Sequence, residues 1–386
     1  MYTLLLAVIY LVFISLGLPD SLLGAGWPVM HQTFGVPLSW AGAVSMIVAG
    51  GTICSSLSCE RLTARFSTRG VTLASVLLSA LSLLGFSLAG SFWALCLWAV
   101  PYGLSAGCID SAINNYVALH YRSRHMSWLH SFWGVGTIIS PVIMSRALAG
   151  GSWRLGYRTV AVLQLAIGAV VLLTLPLWNA RKAPAAAGPA RVLGVRGALK
   201  IPGAPSLFAG FFAYCAGEST AILWASSYLV GARGFSEARA AASAGLFYAG
   251  ITAGRFLSGF VADRLGDRRM IRLGVATAAL GVLALVAPAG EWGALAGLAL
   301  FGLGCAPVYP AIIHSTPQNF GAENSQGLIG MQMASAYLGS TFVPPVFGLL
   351  AGRAGLQWMP LFLAAFLALL AVMTERTWRR VDRAHK

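Results

Sequence analysis

The sequence predicts an all-α integral membrane protein whose twelve transmembrane helices form two pseudo-symmetric bundles of six. Three observations lead to this fold class. Hydrophobic residues make up 58% of the 386 residues and charged residues only 10%, whereas a soluble domain carries about 25% charged residues. Twelve apolar runs are each long enough to cross a bilayer, which takes about 20 residues. The longest polar segment, 178–203, divides these runs into six and six.

The composition also excludes several classes of protein. With a mean hydropathy of +0.75, the chain is neither a soluble globule, nor disordered, nor a disulfide scaffold. The six cysteines lie in or beside apolar runs without metal-ligand spacing, so we predict that they are packing residues. No phosphate-binding loop, metal motif or nucleophilic triad stands out in the sequence. We therefore expect neither an enzyme nor an ATP-driven machine, and no cofactor.

The apolar runs define the elements in order. The first run begins almost at Met1 and continues without a small-residue cleavage site, so we predict a retained helix rather than a signal peptide. Only Gly90 and Ser91 separate the third and fourth runs. The predicted spans are 3–30, 39–59, 70–89, 92–119, 126–148, 155–177, 204–230, 238–262, 270–288, 291–315, 323–350 and 356–374.

These spans predict four regions of the chain: an N-terminal bundle over 1–177, a cytoplasmic linker rich in Pro and Ala over 178–203, a C-terminal bundle over 204–375 and a basic cytoplasmic tail over 376–386. A weak internal repeat supports the division. The segment 59–62 aligns with 262–265, and the same offset pairs Gly51 with Gly254.

The basic residues predict the orientation. The net charge of +15 would point to nucleic acid in a soluble protein. Here nineteen Lys and Arg residues fall on one set of loops and at the C-terminus, six fall on the other set, and Arg255 lies inside a span. Cytoplasmic loops carry the excess of basic residues. We therefore predict cytoplasmic termini in a bacterial-type inner (plasma) membrane, a multi-pass monomer surrounded by lipid, and no nucleic-acid partner.

Three acids lie well inside apolar spans: Asp20, Asp110 and Glu218. A charged side chain at the bilayer centre costs about 2.5–3.5 kcal/mol on insertion scales, so such residues are paired, protonated or facing water. Asn114 follows Asp110 by one turn on the same helix face, which supplies an acceptor and an amide for hydroxyl groups. For Asp20 the alternative is a structural cap at the helix break that Pro19 predicts.

Two further polar positions keep two interpretations each. Glu218 and Arg255 both lie in the second half and can form a structural or gating ion pair, or Glu218 can contact substrate. His130, near the cytoplasmic end of the fifth span, can bind substrate or relay protons. The alternative for His130 is a plain hydrogen bond between helices.

The loop after the eighth span carries the most specific motif. Residues 259–269 read Gly-Phe-Val-Ala-Asp-Arg-Leu-Gly-Asp-Arg-Arg, and the loop after the second span is a degraded copy with Ser56 and Glu60 at the first Gly and Asp positions. Together with the two six-helix halves and the linker, this pair of loops resembles the major facilitator superfamily, over nearly the whole chain. The resemblance implies the two-bundle transporter fold and a structural or gating role for Asp263 and Arg264.

Segments inside the spans resemble the fucose/glucose permease branch, whose members are mostly proton-coupled sugar symporters. The resemblance implies that Asp20 and Asp110 serve proton coupling and that Asp110 and Asn114 bind sugar. His130 and Trp133 stand where fucose permeases carry a glutamine and an asparagine. The segments concerned are 17–24, 107–115, 126–136, 217–228, 245–255 and 302–310.

Several more side chains are candidates for sugar contact. Sugar rings present C–H faces that stack on aromatic planes, so Trp133, Trp224 and Tyr228 can form a platform, with core packing as the alternative. Tyr309 and Gln332 can bind hydroxyl groups.

The leading function is therefore secondary active transport by alternating access, as proton-coupled symport of a monosaccharide or similar small polyhydroxylated solute. Two alternatives stay open. One is an exporter of drugs or metabolites on the same fold, which an aromatic cavity without polar partners would favour. The other is a non-transporting membrane sensor, which the buried acids disfavour.

Overall fold

In a computed structural model, the described residues are 2–37, 40–178 and 192–384, and within these ranges the chain is helical apart from turns, without any β-strand. The predicted all-α membrane fold is confirmed. Residues 179–191 of the predicted linker lie outside the described ranges. The helices are α1 Tyr2–Gly17, α2 Leu22–Phe34, α3 Ala41–Leu88, α4 Phe92–His120, α5 Ser123–Ala149, α6 Trp153–Trp178, α7 Gly194–Lys200, α8 Ala204–Arg233, α9 Glu237–Leu265, α10 Asp267–Val286, α11 Gly290–Cys305, α12 Val308–Phe320, α13 Ala322–Ala354 and α14 Met359–Ala384.

Each predicted span corresponds to a helical segment of this chain. Ten stretches of the described residues are long and apolar enough to cross a membrane. One of them, α3, bends at Ser67, whose φ of 60° and ψ of 161° are not helical, so α3 contains the second and third spans. Helix α9 corresponds to the eighth span. The first and tenth spans are each built from two helices, α1 with α2 and α11 with α12.

The chain divides into two compact units, residues 1–116 with 129–192, and residues 117–128 with 193–386. The segment 117–128, part of the predicted N-terminal bundle, groups with the second unit, where Ser123 and Arg124 hydrogen-bond to Asp267 and Asp263. The last helix also continues beyond the predicted end of the twelfth span at 374 and includes most of the predicted tail, up to Ala384.

Small residues bring helices together in both units. In the first unit, a Cβ on Gly51 of α3 would lie 3.1 Å from Val100 O of α4. In the second, a Cβ on Gly250 of α9 would lie 2.6 Å from Ala299 O of α11. Such close backbone approach is how helices associate where lipid replaces water. Gly254, which the sequence pairs with Gly51, also packs on α11, where its Cβ would lie 3.3 Å from Leu303 O.

Candidate functional site

The first polar cluster surrounds Asp20, at the break between α1 and α2. Asp20 Oδ1 accepts a hydrogen bond of 3.0 Å from Tyr102 Oη of α4, and Asp20 Oδ2 accepts one of 2.9 Å from Trp133 Nε1 of α5. The break itself is a short turn in which Leu22 N donates to Pro19 O. Because this turn interrupts the helix, the carboxylate projects from irregular backbone, the setting in which transporters bind ions and substrates.

Sequence reasoning named Asp20 and Trp133 but missed Tyr102. Tyr102 is buried and lies two turns before Asp110 in α4, about 12 Å along the helix axis. A tyrosine inside an apolar run, upstream of an acid on the same helix, was the available signal.

A second missed contact steadies the same break. Gln164 of α6 donates from Nε2 to Ser15 O at 2.6 Å, and Ser15 Oγ donates to Gln164 Oε1 at 2.5 Å. Ser15 lies in the last turn of α1, just before the break, and both residues are buried. This pair ties the end of α1 to α6. The sequence signal for this contact was a lone glutamine in an apolar run, since an amide without a hydrogen-bond partner is costly in lipid.

The second cluster joins Asp110, Asn114 and His130, all of them buried. Asn114 Nδ2 donates to Asp110 Oδ1 at 2.7 Å and to Asp110 O at 2.9 Å. Asn114 Oδ1 therefore accepts, and His130 Nε2 lies 3.1 Å from it, so Nε2 carries the proton in this bond. The His130 ring stands edge-on to Phe13 at 5.4 Å. The structure thus brings a carboxylate, an amide and an imidazole of α4 and α5 into one chain of hydrogen bonds.

In the second unit, Glu218 and Arg255 form an ion pair of 3.2 Å between α8 and α9. Both side chains are largely shielded, with 13% of Glu218 and 7% of Arg255 exposed. Tyr214 Oη lies 2.9 Å from Glu218 Oε1 and 3.0 Å from Cys305 O, the last carbonyl of α11. Sequence reasoning missed Tyr214, although it lies one turn before Glu218 on the same helix face.

Tyr309 and Gln332 lie in the same unit but in different environments. The Tyr309 ring packs 4.7 Å from Phe211, and its hydroxyl donates to Met333 Sδ at 3.3 Å. Gln332 Oε1 accepts a hydrogen bond of 3.1 Å from Thr316. The fully buried Gln332 Nε2 has no hydrogen-bond partner in the described part of the chain.

Trp224 and Tyr228 donate to backbone carbonyls of neighbouring helices. Trp224 Nε1 donates to Pro344 O of α13 at 2.9 Å, and Tyr228 Oη donates to Leu285 O of α10 at 3.0 Å. A Cβ on Gly348 would lie 2.6 Å from the Trp224 ring, so the indole packs directly on α13. Both residues therefore fasten α8 to its neighbours.

The acids on either side of the junction between α9 and α10 hold this junction in place. Asp263 accepts a hydrogen bond of 3.1 Å from the backbone N of Arg124 and forms an ion pair of 3.4 Å with its side chain. Asp267, which sequence reasoning did not single out, accepts from Ser123 Oγ at 2.6 Å and lies 2.7 Å from His314 Nδ1. In contrast, Arg264 is exposed.

Across the described ranges, no group of three or more His, Cys, Asp or Glu side chains has the arrangement of a metal site. The described polar side chains inside the spans thus form two carboxylate clusters in the first unit, and the second unit contains the shielded ion pair of Glu218 and Arg255.

The chain is similar over most of its length to two proteins known from sequence. It is 22% identical to Bypass of stop codon protein 6 of Saccharomyces cerevisiae over 94% of this chain and 80% of that protein. It is 25% identical to Uncharacterized transporter y4wD of Sinorhizobium fredii over 70% of this chain and 71% of that protein.

Two solved structures share its fold. One is the crystal structure of FucP, the fucose:proton symporter of E. coli, with a TM-score of 0.77 and 18% identity over 97% of this chain and 99% of that chain. The other is the proton:xylose symporter XylE, with a TM-score of 0.77 and 13% identity over 97% of this chain and 95% of that chain. At sequence identities of 18% and 13%, these similarities show a shared fold.

The family follows from a match to the sequence itself. The sequence model of the Major Facilitator Superfamily matches residues 9–290 and 206–386, which together take in nearly the whole chain. With the all-helical membrane fold and the motif-bearing loop between α9 and α10, this match leaves one conclusion: the protein belongs to the Major Facilitator Superfamily.

Proposed function

We propose that this protein is a proton-coupled symporter of a monosaccharide or a similar small polyhydroxylated solute, which it moves by alternating access. The observation that carries the proposal is the Asp20 carboxylate, held at the break of a transmembrane helix by Tyr102 and Trp133. A carboxylate inside a membrane protein marks an ion or substrate pathway by default. The names of the solved relatives, fucose:proton symporter and proton:xylose symporter, support the same class of solute.

Asp110, Asn114 and His130 are the residues that we assign to the solute. Sugar hydroxyl groups both donate and accept, and a site built from hydrogen-bonding side chains rejects analogues that lack those hydroxyl groups. The carboxylate, amide and imidazole of this cluster provide both functions within one chain of hydrogen bonds. Trp133, whose indole reaches Asp20, would link the solute to the proton site.

In this proposal, the second unit contributes fewer side chains to the binding of the solute. Tyr309 and Gln332 are candidates for hydroxyl contact, and Gln332 Nε2 is a buried donor without a partner among the described residues. We assign Trp224 and Tyr228 to holding α8 against its neighbours, because both donate to backbone carbonyls. Glu218 and Arg255 are a structural or gating pair.

The placement in the cell is part of the same proposal. The excess of basic residues in the linker, in alternate loops and at the C-terminus supports an inner (plasma) membrane location with both termini in the cytoplasm. We propose that the monomer is the transporting unit.

Transport by purified protein in proteoliposomes tests the function. Vesicles preloaded with unlabelled fucose, xylose or glucose should take up the same labelled sugar by counterflow. The same assay with mannitol shows whether the protein also accepts open-chain polyols. A pH gradient, acidic on the outside, should drive accumulation, and a protonophore should abolish it.

Each alternative has its own result in this experiment. Binding without counterflow would identify a sensor and overturn the transport proposal. Sugar that leaves the vesicle while protons enter it would identify an exporter. Exchange of amphipathic drugs but not of sugars would identify one too.

A further inference from the structure

The second unit carries an open apolar groove on its surface, lined by α9, α10 and the junction of α11 with α12. Its walls include Leu257, Val261, Leu273 and Leu303, which are 57%, 43%, 52% and 38% exposed. The groove has a volume of about 450 Å³, within the range of about 300–1,000 Å³ typical of small-ligand sites. On a chain that spans a membrane, such a groove is filled by hydrocarbon.

Four arginines flank the loop at one end of this groove, and two of them are already neutralised. Arg268 donates two hydrogen bonds to Asp382 of α14, at 2.9 and 2.6 Å, and Arg272 donates two to Glu375, at 2.7 and 3.0 Å. Such bidentate pairs place the guanidinium directly against an opposite charge and fix its orientation. Arg268 and Arg272 therefore serve to clamp α10 to α14.

The other two arginines, Arg264 and Arg269, are exposed, and neither has a hydrogen bond or ion pair with any residue that the structure describes. The acids near the same junction pair with other residues, Asp263 with Arg124 and Asp267 with His314. The loop thus presents two positive charges without a local counter-charge.

Helix geometry aligns these two arginines with the groove. Residues three and four apart share a face of an α-helix. On α9, Leu257 and Val261 are followed by Arg264, and on α10, Arg269 precedes Leu273 by four residues. The only residue between α9 and α10 is Gly266, so both guanidinium groups lie at the same end of the groove.

We propose that this groove binds an anionic phospholipid, with an acyl chain against the apolar walls and the phosphate between Arg264 and Arg269. Guanidinium groups bind phosphate oxygens with charge-assisted hydrogen bonds, and basic pockets between membrane helices bind acidic lipid headgroups. We assign the site to a lipid rather than to free phosphate because the groove is lined by apolar side chains, which an acyl chain would cover and a phosphate ion would not. The site is independent of the transported solute.

Native mass spectrometry of the full-length protein in detergent tests the site, with phosphatidylglycerol and phosphatidylcholine of identical acyl chains as probes. The wild type should bind phosphatidylglycerol more tightly than phosphatidylcholine. Each basic residue near an anionic lipid contributes roughly fivefold in affinity, so Arg264→Gln with Arg269→Gln should weaken phosphatidylglycerol binding by roughly 30-fold. Arg353→Gln, which removes an exposed charge from α13, is the matched control and should keep the preference.

Two further measurements test the two parts of the lipid separately. Thr277→Phe, which fills the groove, should weaken both lipids, while glycerol 3-phosphate in excess should displace neither. The proposal is overturned if the wild type binds both lipids equally, if the double variant keeps its preference, or if glycerol 3-phosphate alone competes. As a control, the thermal unfolding midpoints of all variants should equal that of the wild type, which shows that the loss of lipid binding is not caused by unfolding.

Discussion

Asp20 uses both carboxylate oxygens as acceptors, and its partners come from two other helices. Closing the site removes water and disfavours the charged carboxylate, while opening it restores water, so the same group can take up and release a proton. We predict that Asp20→Asn keeps sugar exchange between two loaded compartments but loses accumulation driven by a pH gradient. Paired counterflow and gradient assays in proteoliposomes measure the two steps.

Tyr102→Phe is the control for that experiment. It removes one donor to Asp20 but leaves the carboxylate and its bond to Trp133. Coupling should survive in Tyr102→Phe. An Asp20→Asn protein that still concentrates sugar in response to the gradient would move the proton site to Asp110 or Glu218.

For Asp110, the prediction concerns affinity. If its carboxylate accepts bonds from solute hydroxyl groups, Asp110→Asn removes bonds to a charged group, each worth about 1.5–3 kcal/mol. The dissociation constant of the best sugar should rise at least tenfold, measured by binding of the labelled sugar to folded protein. Thr374→Val, which removes a buried hydroxyl bonded within its own helix, should leave the constant unchanged. An unaltered constant for Asp110→Asn would assign Asp110 to structure.

Between elements, the ion pair of Glu218 and Arg255 joins α8 to α9. Removing one partner strands a shielded charge, which costs about 3–5 kcal/mol in soluble proteins. We predict that Glu218→Gln or Arg255→Met alone lowers the thermal unfolding midpoint more than the double substitution does. Tyr214→Phe removes a neighbouring hydroxyl without stranding a charge, so its effect should be smaller. Losses that simply add in the double variant would show that the two charges are not coupled.

The break in the first span, which forms part of the Asp20 cluster, was predictable from sequence only in part. Pro19 lacks a backbone N–H and cannot continue the hydrogen bonding of α1, so a break was predictable from sequence. The bond between Ser15 and Gln164 that steadies the break spans 149 residues of chain. That contact could not be predicted, because hydropathy does not identify which helices become neighbours.

For the whole molecule, the charge asymmetry predicts the orientation. Single cysteines at Arg191, which lies outside the described residues, and at Ala384 should resist an impermeant thiol reagent added to intact cells, while Arg158→Cys in α6 should react. Only Cys54 of the six native cysteines is exposed, so a Cys54→Ser background suffices. Strong labelling at Arg191→Cys and Ala384→Cys would reverse the orientation.

The sequence by itself determined the number of spans, the helical class, the family resemblance and which acids lie well inside the apolar spans. These features depend on transfer free energies and motifs that are local to each stretch of chain, so no knowledge of neighbours was needed. Their limit was local too: the predicted basic tail, 376–386, is helical as far as Ala384, because an apolar pattern does not mark where a helix ends.

Only the tertiary structure decided which groups meet. Tyr102 and Trp133 reach Asp20 across 82 and 113 residues of chain. Ion pairs with acids of α14 distinguish Arg268 and Arg272 from Arg264 and Arg269. Sequence shows these four arginines as equivalent basic residues of one loop. The physical reason is that a side chain's partner is set by helix packing, and packing in lipid depends on small residues and polar contacts that lie far apart in the chain.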